Sequence, residues 1–91
     1  MTVLGEEAYQ TPFDKAAAMA ESIVRNHPFN DANHRTALAA AHLVLGLFGN
    51  KLVASQGAQK EAIRNVRDGT VSTEAFAVWL RENSVLRPPK K

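Results

Sequence analysis

Between residues 37 and 48 the chain carries one polar side chain, His42. An apolar run of that length, with Thr36 as the only other polar residue near its start, reads as a helix that is apolar nearly all round. It therefore predicts a central helix surrounded by other elements. The run falls short of the roughly 20 residues needed to cross a bilayer. Gly49-Asn50 ends it in the usual way for a helix.

The other segments supply the covering helices. Thr11-Pro12-Phe13-Asp14 is a helix start, with threonine at the cap, proline at the first helical position and an acid in the first turn. Phe13, Ala16, Ala17, Ala20, Ile23 and Val24 then recur on one face, opposite Asp14, Lys15, Glu21, Ser22 and Arg25. Leu52-Val53-Ala54 reads as an extended connector. A third helix is predicted from Gln59 to Arg67, with Ala62, Ile63 and Val66 inward and Lys60, Glu61, Arg64 and Arg67 outward. Asp68-Gly69 stops it. Ser72 caps a fourth helix, in which Val71 and Phe76 sit at staple spacing and Phe76, Trp79, Leu80 and Asn83 mark the inner side. The class is all-α: a small helical bundle, one domain over residues 1–91, with residues 1–10 as lead-in and 87–91 as a basic tail.

Composition narrows the partners. Arg87, Lys90 and Lys91 fall in the tail, and without them 8 basic residues face 9 acidic ones, a net charge of −1 for the body. The overall +2 thus predicts no nucleic-acid binding by the folded part. Absent cysteines remove disulfides and thiolate metal sites and fit a cytoplasmic location. Met1-Thr2-Val3-Leu4-Gly5-Glu6-Glu7 lacks the basic and apolar regions of a signal peptide, and no membrane association is expected.

Chemistry concentrates in nine residues between the first two helical patterns, His27-Pro28-Phe29-Asn30-Asp31-Ala32-Asn33-His34-Arg35. One further step of the buried stripe of the first helix lands on His27, which aims it inward. Pro28 turns the chain. Phe29, a large apolar residue in a polar loop, reads as an anchor in the core. The following helix start offers unpaired amides, from about Ala32 to Arg35, and the positive end of its dipole, a ready hole for phosphates. Ala32 is small enough for a ligand to approach the backbone. Arg35 can clamp phosphate oxygens, Asp31 could hold Mg²⁺, and His27 can accept a proton from a hydroxyl near neutral pH. Singly, these residues have ordinary readings: Asp31 as an N-cap, Asn33 as a turn residue, Arg35 as a solvated charge. His34 and His42, eight apart, lack a third ligand for zinc.

In order, the nine residues resemble the Fic/Doc signature His-x-Phe-x-Asp/Glu-Ala/Gly-Asn-Gly/Lys-Arg, at His27, Phe29, Asp31, Ala32, Asn33 and Arg35. Asp14-Lys15-Ala16-Ala17 before it and Thr36-Ala37-Leu38-Ala39-Ala40-Ala41 after it are similar too, and the likeness extends from about Gly5 to Leu86. The resemblance implies helical enzymes that transfer part of a nucleotide to a protein hydroxyl. It implies His27 as general base, Phe29 as loop anchor and Asp31 as Mg²⁺ ligand. It further implies Asn33 with the loop amides as the anion hole and Arg35 as phosphate clamp, so ATP and Mg²⁺ are expected.

Two features resemble the Doc (death on curing) branch more than Fic members proper: the Ala32-Asn33 pair in a small chain, and Leu38 where those members carry a second arginine. Doc-type toxins transfer the terminal phosphoryl group of ATP to a threonine of elongation factor Tu, and an antitoxin neutralises them by folding a disordered segment against them. The resemblance implies that activity here, with adenylylation as the alternative and a shortened nucleotide- or partner-binding domain as a third reading. His34 stands at the Gly/Lys position; its imidazole can donate to phosphate but is mostly uncharged at neutral pH. Only 26 residues precede His27, and nothing upstream of Thr11 alternates as the family's target-docking β-hairpin would.

Overall fold

The computed structural model describes residues 11–26 and 31–86, with Asp31 by its backbone alone. The expectations for residues 1–10 and 87–91 lie outside the described residues. Four helices and one two-stranded sheet make up the described part, and the all-α class holds.

Helix α1 spans Pro12–Asn26. Its start is built as the sequence suggests, since the Asp14 amide donates to Thr11 Oγ1 at 3.0 Å. Ala16, Ala17, Ala20 and Val24 are buried. Helix α2, Asp31–Leu47, packs more extensively on α1 than on any other element. The α1 alanines meet a stripe on α2 that is also small, with Ala37 and Ala41 fully buried beside Val44 and Leu45. Small side chains on both faces let two helices lie close with little void between them.

Among the described residues, the elements packed on α2 leave part of its surface open. Leu43, Leu47 and Phe48 are 65%, 74% and 51% exposed. A few short helices can roof only part of a 17-residue rod. Lys15 partly shields the Phe48 ring, with Nζ 5.7 Å from its centroid.

Gly49, at φ 81°, turns the chain out of α2. The connector read from the sequence is strand β1, Asn50–Leu52, and it has a partner the sequence did not announce. Strand β2, Ser84–Leu86, pairs with it antiparallel, Lys51 opposite Val85. Val53 extends the junction by donating its amide to the Asn83 carbonyl at 2.7 Å.

Helix α3 spans Gln56–Asp68 and starts three residues before the predicted Gln59. The cause is Ser55, whose hydroxyl oxygen accepts from the Ala58 amide at 3.1 Å. Gly69, at φ 82°, closes the helix. Helix α4, Thr73–Glu82, is capped by Ser72 as predicted, the Ala75 amide reaching its hydroxyl at 3.0 Å. Asn83 caps the helix rather than lining its inner side. The largest fully buried side chains are Phe76, Leu45, Ile63, Leu80, Val24 and Val66, so all four helices share one core. No described helix is long and apolar enough to cross a membrane.

Candidate functional site

Helix α1 ends at Asn26 and α2 begins at Asp31. Residues 27–30, with His27 and Phe29, lie outside the described residues, as does the Asp31 side chain. The expected base, loop anchor and metal ligand are therefore located only by sequence, at the junction of two well-packed helices. Glu21 and Arg25 pair one turn before it at 3.3 Å, on the exposed side of α1.

The rest of the motif lies on the first turns of α2. Ala32 is exposed and Asn33 half-buried. The Thr36 hydroxyl donates to the Ala32 carbonyl at 2.9 Å, which holds this first turn against fraying. The aligned peptides place the positive end of a 17-residue helix here. Next, His34 is half-buried and Arg35 exposed, and the two line the same pocket.

That pocket is about 400 Å³ in volume, bounded by His34, Arg35 and Leu38 of α2 and by Lys60, Arg64 and Arg67 of α3. Arg67 Nη1 lies 3.4 Å from His34 Nε2. The same guanidinium bonds Asp68 Oδ1 through Nε at 2.7 Å. This bond holds the Asp68 carboxyl below its ordinary value, opposed by desolvation and aided by the charges of Arg67, Arg64 and His34. Among the described residues no carboxylate lines the pocket.

The sequence reading placed Lys60, Arg64 and Arg67 on a solvated outer face. The structure turns all three towards the start of α2, while Glu61 points into a different, mostly apolar hollow between α3 and α4. The spacing of 60, 64 and 67 is a one-face pattern, and it was the only available signal. What it faced could not be read from it.

His42 and Gln59 form a second link between α2 and α3. His42 Nε2 is 2.9 Å from Gln59 Oε1, and Gln59 Nε2 donates to the Ala54 carbonyl at 2.8 Å. His34 and His42 thus reach different partners on α3 and do not converge. Among the described residues no three His, Asp or Glu side chains gather to hold a metal.

Comparison with known proteins places these features. The Fic/DOC family profile matches residues 2–45, which span α1, the turn and most of α2. The Toxin Doc of Mycolicibacterium smegmatis (strain ATCC 700084 / mc(2)155) is 49% identical over 53 residues, 58% of this chain. The chain spans 41% of the length of that relative. No solved structure matches the chain. The profile covers the two helices that flank the motif, so over that part the chain is similar to the Fic/Doc family, and the Doc relative adds a likeness to its Doc side.

Proposed function

We propose that this chain acts as a Doc-like toxin of a toxin–antitoxin pair, transferring a phosphoryl group from ATP to a hydroxyl of a translation factor similar to elongation factor Tu. The observation that carries this reading is the placement of His34 and Arg35. They follow the motif turn directly and open into a pocket lined by basic side chains, at the positive end of α2. A phosphate ester is the ligand best suited to that combination.

In this reading the Ala32, Asn33, His34 and Arg35 segment holds the phosphate chain. Backbone amides and the Asn33 carboxamide meet the oxygens, and Arg35 adds a charged fork. Asp31 would hold Mg²⁺, which would supply positive charge to the phosphates. His27 accepts the proton of the acceptor hydroxyl as its oxygen bonds to the terminal phosphorus, and the bond to the bridging oxygen breaks to release ADP. Positioning and fixed charge do most of the work, as in phosphoryl transfer generally. Phe29 would pin the turn so that His27 keeps its place. The partners are the acceptor protein and an antitoxin, both met in the cytoplasm.

The test uses ATP labelled at the terminal or at the α-phosphate, added to cell extract with wild type or His27→Ala. Terminal label should appear on one protein and fall by about 10²- to 10⁴-fold in the variant, the usual loss for a missing general base. Transfer of the α label instead would establish adenylylation. Equal labelling by both proteins, or none by either, would leave a domain that binds without turnover.

A further inference from the structure

Lys60, Arg64 and Arg67 are spaced along one side of α3 and span about 10 Å at a rise of about 1.5 Å per residue. They face Arg35 and His34 across a concave pocket. Among the described residues Lys60, Arg64 and Arg35 have no carboxylate within 4.0 Å, and Asp68 is bonded to Arg67. Cations gathered in a hollow focus positive potential there, and their mutual repulsion is relieved only by an anion. A solvated basic face would also show three such residues on a helix. It would not set them opposite a further arginine and a histidine on a second helix.

We propose that Lys60, Arg64 and Arg67 of α3, with Arg35 of α2, form a polyphosphate subsite that selects a chain of several phosphates over a single one. The subsite rests on the nucleotide reading above and extends it beyond the motif turn, on a helix that the family match does not reach. A monophosphate could neutralise one of these cations. Several phosphates in a row match a stripe that runs along the helix. Arginine forks and a lysine point charge are both suited to phosphate oxygens. An acidic peptide would be drawn by the same charge, but it would forgo the continuity with the helix start, where the phosphate-binding amides lie.

The experiment is calorimetric titration of the full chain with inorganic tripolyphosphate, ATP and AMP at one fixed salt concentration. The proteins are wild type, Lys60→Gln, Arg64→Gln and the control Arg81→Gln, whose side chain lines a separate hollow with Thr11 and Phe13. Arg64→Gln should weaken tripolyphosphate and ATP by about five- to tenfold, the loss of one charge-assisted contact at a partly open site. AMP should change by less than about twofold, and Lys60→Gln should act in the same sense but less, as a single point charge. Circular dichroism melts should match wild type, so that lost binding is not lost fold.

Wild-type-like binding in both α3 variants would overturn the proposal. So would no binding of tripolyphosphate by wild type, or tighter binding of a poly-glutamate peptide or a short single-stranded oligonucleotide than of tripolyphosphate. Weakened binding in a protein that transfers no label would retain the subsite and defeat the transferase reading. Label transfer with unaltered binding would do the reverse.

Discussion

Helices α2 and α3 are joined at two places, and the contrast between them separates scaffold from site. His42 meets Gln59 and His34 meets Arg67, so the partners run in opposite directions and the helices are antiparallel. Eight residues separate the two links on each helix, about 12 Å at 1.5 Å per residue. At the first link the Gln59 carboxamide is bonded at both its oxygen and its nitrogen: Gln59 is 8% exposed, takes a bond from His42 and gives one to Ala54. With Gln59 Oε1 accepting, the His42 tautomer that bonds it carries its hydrogen on Nε2. At the second link cations outnumber acids and the pocket stays open. A buried polar group that closes its own bonds stabilises a helix pair. A concave group of like charges does not, and its chemistry is directed at something outside the chain.

The largest expected effect is on the core that both links rest against. Leu45→Ala removes a fully buried side chain one turn from His42 and should cost about 2–5 kcal/mol, read from urea denaturation. A loss below about 1 kcal/mol would mean that α2 is held mainly by its polar links. Next comes the contrast itself. Gln59→Ala leaves the His42 and Ala54 groups without their partner and should cost about 1–3 kcal/mol. Arg64→Gln, on the open side, should lie within about 0.5 kcal/mol of wild type, because it removes like-charge repulsion along with any packing. Equal losses at the two positions would erase the distinction between a closed link and an open one.

The smallest effect concerns acid. The folded Asp68 carboxyl titrates below its unfolded counterpart because Arg67 bonds its charged form. Its contribution to stability is therefore fully present above the ordinary carboxylate range and is lost as pH falls through the lowered value. Asp68→Asn should melt slightly below wild type at neutral pH, and the gap should close in acid. The pair is exposed, so water screens it and the difference should be small. A gap that widened in acid would show the sign to be wrong.

Much of the helical framework was legible because its determinants are local. Thr11, Ser72 and the two glycines at 49 and 69 act on amides or dihedrals a few residues away. The motif was legible for the same reason, since six matching positions lie within nine consecutive residues. Ser55 was missed as a cap because the residues that follow it, Gln56-Gly57-Ala58, carry no apolar period, and only the cap itself marks the start. The β1–β2 pair was missed because three-residue strands are too short to show alternation, and their pairing joins residues more than 30 apart.

By itself the sequence determined four helices, four of their caps or stops, and the nine-residue motif between the first two helices. These follow from hydrogen bonds and side-chain period over one or two turns. Tertiary structure alone decided which side of α2 the described helices would cover. It also decided that His42 would close on a glutamine, and that a basic face on α3 would become the wall of a pocket. Those outcomes depend on the angle and register at which two helices meet, which burial of the whole core fixes and no single stretch of chain encodes.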